Sequence, residues 1–338
     1  MKIADREIGN GKSPYIIAEV SCNHNGYIEN ALDLIKAAKY AGADAVKFQA
    51  YTPDTMTLDC VKPDFIIQGG IWKGQTLYEL YQKTFTPFDW FPKIFKAAQK
   101  EGLTVFASVF DPSAVDMLDQ LGCPAYKIAS MEITDTPLIA YAASKGKPLI
   151  ISTGMAKLTE ILDAREAAGE NSAFLHCTSE YPGTVELAVL SGIHRIRNFL
   201  NDNFTSSAVV GVSDHTGDSP IVPVAATALG AAIIEKHIML DLSESEDRSF
   251  SLTPKEFKWM VTSVRSAHEA IQPREFASNP SIQFRRSLYA VEDIREGEKL
   301  TEYNVRSIRP GYGIAPKHLP RLMGRTATQN YRKGDRIT

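Results

Sequence analysis

Apolar residues along this chain gather in short runs separated by longer amphipathic stretches. The runs are "YIIAEV" (15–20), "AVKFQA" (45–50), "TVFASVF" (104–110), "AYKIAS" (125–130), "PLIIST" (148–153), "AFLHCT" (173–178), "AVVGVSD" (208–214) and "AIIEKHI" (232–238). Short apolar runs of this length predict buried strands. The stretches between them, such as "IENALDLIKAAKYAGA" (28–43) and "AVDMLDQLG" (114–122), carry apolar residues at helical spacing. Several end in the glycine that commonly closes a helix. Eight such alternations predict an α/β fold, a (β/α)8 TIM barrel over residues 1–271. An open doubly wound sheet also alternates, but it usually carries a Gly-rich phosphate loop after its first strand. Here that position reads "EVSCNHNG", so the closed barrel is preferred.

Two interruptions break the rhythm. Residues 51–89 separate the second strand from its helix, and they include the apolar "DFIIQGGIW" (64–72). A long connection on the strand-to-helix side of a barrel falls where such folds build their sites. After Ala270 the periodicity ends. Residues 272–285, rich in Pro, Asn and Ser, predict a linker, and 286–338 a small β-rich domain. Within that domain "REGEKLT" (295–301) and "RKGDRIT" (332–338) match position by position, which predicts two equivalent Gly-centred turns.

Composition narrows the function. With 37 basic and 40 acidic residues in 338, nothing favours nucleic acid or a membrane surface as partner. No apolar window is long enough to span a bilayer. The first fifteen residues contain no apolar signal segment, and four scattered cysteines form no CxxC pair. Both point to a reduced, cytoplasmic protein.

The strand ends carry the chemistry. In a barrel the residues at the C-terminal ends of the strands face one bowl. Read that way, the bowl receives Glu19, Lys47, Gln49, Ser108, Lys127, Ser130, Glu132, Ser152, Thr153 and Tyr181. It also receives Asp214 with His215, and Lys236 with His237. His215 and His237 end consecutive strands, so they should converge. Two histidines with carboxylate and water suit a divalent cation, although a metal-free role remains open. Lys47 and Lys127 lie inside apolar runs, and a buried lysine calls for an anionic partner. With the surrounding hydroxyls they suit a phosphate or phosphorylated carboxylate. A Schiff-base lysine, as in barrel aldolases, is the competing reading. Glu19 and Glu132 could move protons or merely neutralise a lysine. Cys177 reads as a small buried residue rather than a nucleophile.

Taken in order, "AEVSCNHNG", "GADAVKFQ", "AYKIAS.E", "LIISTGM", "HCTSEYP", "GVSDHT", "IEKHI", "RSLYA..DI..GE" and "IRPGYG" resemble the sialic acid synthase family along essentially the whole chain. The resemblance implies condensation of phosphoenolpyruvate with an open-chain amino sugar, with loss of phosphate. It implies Mn2+ or Mg2+ held by His215 and His237. It places phosphoenolpyruvate on Lys47, Gln49, Ser108, Lys127, Ser130 and Ser152, and catalysis on Glu19 and Glu132. It places the sugar on Tyr181, Asp247 and Arg309. The C-terminal part resembles the family's antifreeze-like (SAF, β-clip) domain, which implies a homodimer whose small domains are swapped so that Arg309 serves the neighbour. Two departures stand out. Val109 follows Ser108 where the family commonly has Pro, and Ser179 replaces the family's Asn, which fits a sugar other than N-acetylmannosamine. A non-catalytic sugar-binding barrel is the alternative outside enzymes. Retention of the lysines, glutamates and histidines together argues against it.

Overall fold

Each apolar run forms a strand: β1 (Tyr15–Glu19), β2 (Ala45–Ala50), β3 (Thr104–Val109), β4 (Tyr126–Ile128), β5 (Leu149–Ser152), β6 (Ser172–Cys177), β7 (Val209–Asp214) and β8 (Ile233–Ile238). The computed structural model describes residues 1–9, 11–70, 72–178, 180–217, 220–241, 244–273 and 280–338. Among the described residues each strand pairs in parallel with the next, and β8 pairs with both β7 and β1, which closes the barrel. Nearly every strand residue is buried, because the side chains of one face fill the barrel and those of the other meet helices. That is why these strands read as continuous apolar runs.

The helices are α1 (Ile28–Ala41), α2 (Phe91–Glu101), α3 (Pro112–Gln120), α4 (Thr136–Ser144), α5 (Leu158–Ala168), α6 (Ser191–Asn203), α7 (Ile221–Ala228) and α8 (Pro254–Ile271). Their ends follow local chemistry. Gly42 and Gly102 close α1 and α2 in the left-handed conformation, with φ of 84° and 62°. The side chains of Asp111 and Asp135 cap α3 and α4, and Thr253 with Glu256 forms a capping box on α8.

The long connection after β2 is ordered rather than a bare loop. It holds short helices at Pro53–Met56 and Leu77–Thr84 and an antiparallel bridge between Ile66 and Thr76. Thr76 and Glu79 form a capping box on the second of these helices. Because it leaves the C-terminal end of β2, it starts at the rim of the bowl.

Contacts divide the chain into two units, Met1–Gln272 and Pro273–Thr338. Most of the predicted linker, residues 274–279, lies outside the described residues. In the second unit, strands β9 (Ser287–Ala290) and β10 (Val305–Ile308) pair antiparallel. The repeated heptads make equivalent turns. Gly297 and Gly334 have φ of 89° and 97°. In each turn an acid accepts from the arginine N–H three residues before it, Glu298 from Arg295 at 2.9 Å and Asp335 from Arg332 at 2.7 Å. Leu300 and Ile337 then enter one small core with Leu288 and Val305. After the turns the chain forms isolated bridges, Lys299 to Thr326 and Tyr289 to Arg336.

Candidate active site

One cavity opens at the C-terminal ends of β1–β8, and every residue of the first unit to which the resemblance assigns a site role lines it: Glu19, Lys47, Gln49, Ser108, Lys127, Ser130, Glu132, Ser152, Tyr181, His215, His237 and Asp247. Strand register explains the convergence. Glu19 lies opposite Lys47 and His237, Gln49 opposite Ser108, and Ser108 opposite Lys127. Arg309 belongs to the second unit, directly after β10. Ser179 lies outside the described residues.

The two lysines are both buried but differently partnered. Lys47 Nζ lies 2.8 Å from Glu19 Oε2 and 3.5 Å from Glu235 Oε1, and donates to Ser108 Oγ at 3.1 Å. Burial works against this ammonium, yet the two carboxylates hold its pKa above the ordinary value. Its counter-charge is therefore supplied within the protein, and its burial does not by itself call for an anionic ligand. Lys127 Nζ donates to the Ile128 carbonyl at 2.8 Å and to Ser152 Oγ at 2.7 Å, both neutral. Burial pulls its pKa down. Ser130 Oγ, beside it, accepts from the Gly154 N–H at 3.1 Å and lies 3.0 Å from Cys177 Sγ. A cation with neutral partners among hydroxyls is suited to an incoming anion.

Glu235 is a site residue that the sequence reading missed. It faces the cavity, accepts from Ser213 Oγ at 2.9 Å, and is held well below the usual carboxylate range by Lys47 and Lys127 despite its burial. Three placements are corrected. Thr153 does not line this cavity, and its hydroxyl donates to the Leu175 carbonyl at 3.1 Å. Lys236 and Asp214 do not enter the bowl. They form a buried ion pair at 2.8 Å, with the Thr216 N–H donating to Asp214 at 2.9 Å. Successive strand side chains alternate between faces, so placing His237 in the bowl brings Glu235 with it and sends Lys236 away. That period-two signal was present in "IIEKHI".

The imidazoles of His215 and His237 have centroids 5.4 Å apart. Nδ1 of His215 lies 3.2 Å from the Thr178 carbonyl, and Nδ1 of His237 lies 3.3 Å from Asp247 Oδ2. Burial and the nearby His237 push the His215 pKa down to about 3, so the ring is neutral. A metal-binding histidine is usually held through one ring nitrogen and ligates through the other; His215 Nδ1 has the Thr178 carbonyl for this, and His237 Nδ1 has the Asp247 carboxylate at ion-pair distance without a formed hydrogen bond. The pair therefore fits a divalent cation. Among the described residues no group of three or more His, Cys, Asp or Glu is arranged to hold a metal ion. Asp247 stands behind His237, and in this arrangement it orients that ring.

The two glutamates separate by environment. Glu19 is engaged by Lys47 and accepts from Gln49 Nε2 at 3.0 Å. Glu132, on the turn Ser130–Glu132 after β4, has a buried Oε2 with no hydrogen-bond partner, and burial pushes its pKa up to about 7. A carboxyl poised there can give or take a proton at neutral pH.

Aromatic rings close the other side of the bowl. Tyr181 lies 4.4 Å from His215 and 5.3 Å from Phe250 between centroids, and Trp72 lies 6.4 Å from Tyr181. Trp72, Tyr51 and Tyr81 line the cavity from the connection after β2, and only the apolar character of "DFIIQGGIW" hinted at this in the sequence.

The chain matches the NeuB family over residues 34–275 and the SAF domain over residues 285–338. It is 44% identical to the pseudaminic acid synthase of Campylobacter jejuni, with 98% of each chain covered. It is 40% identical to that of Helicobacter pylori, with 94% of each covered. Among solved structures it is similar to the N-acetylneuraminic acid synthetase of Leptospira borgpetersenii, with a TM-score of 0.72, 30% identity, and coverage of 84% of this chain and 93% of that one.

Proposed function

Because this chain belongs to the NeuB family, we propose that it is a pseudaminic acid synthase, condensing phosphoenolpyruvate with open-chain 2,4-diacetamido-2,4,6-trideoxy-L-altrose. Carbon 3 of phosphoenolpyruvate bonds to the aldehyde carbon, whose oxygen takes a proton. Water adds at carbon 2, and the C–O bond to phosphate breaks. One water is consumed and one phosphate released. The observation that carries this reading is a single cavity holding a buried lysine with neutral partners, a carboxyl poised near neutrality and a histidine pair.

In this reading Lys127 with Ser130 and Ser152 takes the phosphate and carboxylate of phosphoenolpyruvate, with Lys47, Gln49 and Ser108 beside them. Glu19 holds Lys47 and Gln49 in place. Glu132 moves the proton at the reacting carbons or oxygens. His215 and His237 would hold Mn2+ or Mg2+, which supplies Lewis-acid polarisation of an aldehyde oxygen when bound. Tyr181 and the neighbouring aromatics exclude water from the sugar. The four cysteines have no disulfide partner, which fits a cytoplasmic enzyme; no helix among the described residues is long and apolar enough to cross a membrane.

The test is phosphate release from phosphoenolpyruvate with a panel of amino sugars. Highest kcat/KM with the diacetamido trideoxy sugar is expected. Faster turnover of N-acetylmannosamine, or of the corresponding legionaminic acid precursor, would replace this assignment with another member of the family. Activity should vanish on chelation and return with Mn2+, and full activity of the stripped enzyme would remove the histidines' proposed role. One observation favours a second reading: the lowered pKa of Lys127 is also what a Schiff-base lysine needs. Borohydride with pyruvate should not trap the protein, and a covalent adduct on Lys127 would establish the aldolase.

We further propose a homodimer in which Arg309 reaches the partner's barrel. An Arg309→Ala subunit and a Glu132→Gln subunit should each be inactive. Mixed, they form one site with both lesions and one with neither, so activity returns. A mixture that stays inactive, with subunit exchange confirmed, places Arg309 in its own barrel.

A further inference from the structure

Trp72 bridges two loops that the backbone keeps far apart in sequence. Its indole Nε1–H donates to Glu246 Oε2 at 3.0 Å, across 174 residues of chain. The ring faces the cavity and tilts at 46° to Tyr181, which in turn packs on His215. One end of the indole is thus fixed by a carboxylate of the connection between β8 and α8. The other end extends the aromatic surface that begins beside the histidines. A half-buried tryptophan with its only polar atom satisfied outside the cavity offers the cavity a purely apolar face. The phosphate-binding hydroxyls and Lys127 lie among different strand ends, so this face borders the part of the bowl left to the second substrate.

We propose that Trp72, held by Glu246, is a specificity-determining residue that recognises the methyl-bearing, deoxygenated end of the sugar and disfavours a hydroxyl there. The inference rests on the proposed synthase activity and deepens it. A sugar methyl against the indole loses water from both surfaces, whereas a hydroxyl in the same place loses water without gaining a partner. One such group in an apolar pocket discriminates by roughly 10- to 200-fold. The tie to Glu246 matters because a ring free to swing away presents no defined wall.

The experiment compares kcat/KM for 2,4-diacetamido-2,4,6-trideoxy-L-altrose with that for its analogue bearing a hydroxyl at carbon 6, in the full-length enzyme. Wild type should prefer the deoxy sugar. Trp72→Ala should lose about tenfold or more of that preference, with the KM for phosphoenolpyruvate unchanged. Glu246→Ala should shift the preference in the same direction by a smaller factor. Glu246→Gln keeps an acceptor for the indole N–H and should restore it. Unchanged preference in Trp72→Ala, with wild type active on the deoxy sugar, overturns the inference and leaves the synthase assignment standing. A Trp72→Ala protein that fails to fold shifts the decision to the two Glu246 variants, where equal preference in Ala and Gln overturns it. Absence of turnover of either sugar by wild type removes the synthase reading itself.

Discussion

Lys127→Met should raise the KM for phosphoenolpyruvate far more than that for the sugar. Truncating one partner of a buried charge pair costs about 2–5 kcal/mol, which is roughly thirty-fold to a few thousand-fold in affinity. The argument turns on what surrounds the two lysines. Lys47 already sits 2.8 Å from Glu19 and 3.5 Å from Glu235, so much of its field is spent inside the protein. Lys127 has a carbonyl and a serine hydroxyl as its hydrogen-bond acceptors and feels Glu235 only through its field, so it keeps more of its charge for an anion. Methionine replaces it with an apolar chain of similar length, so the fold should survive, because a desolvated charge is removed rather than orphaned. Steady-state kinetics with each substrate varied in turn will check the split. Equal rises in both Michaelis constants would mean that Lys127 shapes the whole bowl and is not the anion's partner.

Glu132→Gln should lower kcat by about 10²- to 10⁴-fold, the usual contribution of a positioned acid or base. The variant should also erase a feature of the pH profile. Burial raises the Glu132 pKa to about 7, so the wild-type rate should show a limb near that pH. Glutamine does not titrate, and the limb should be missing. Stability supplies an independent readout. A carboxyl whose pKa is raised in the folded protein favours folding in its neutral form. That contribution is complete below the ordinary value of 4.5 and fades as the pH climbs through about 7. Glutamine keeps the neutral form throughout, so the variant should gain on wild type as pH rises, by up to about 3 kcal/mol above neutrality. Thermal unfolding at pH 5 and pH 8 measures this. A difference between the proteins that stays constant with pH would show that Glu132 titrates at an ordinary value and cannot serve as the neutral-pH acid.

Much of this molecule is legible in its sequence. The barrel was legible because strands buried on both faces must be apolar throughout, and because helix ends carry their own chemistry in Gly42, Asp111 and Thr253. The list of strand-end residues followed, since a barrel has one end at which its strands stop. The exchange of Lys236 and Asp214 for Glu235 was legible too, because side chains alternate along a strand and His237 fixes which face is inward. Two things depended on tertiary structure. Which lysine is already neutralised depends on register between β1, β2 and β8, where Glu19 meets both Lys47 and His237. The apolar wall depends on Trp72 meeting Glu246 across 174 residues. Composition and periodicity are properties of one stretch of chain at a time. Pairing of charges and the closing of a cavity are properties of groups brought together from different stretches, and only the folded chain sets those distances.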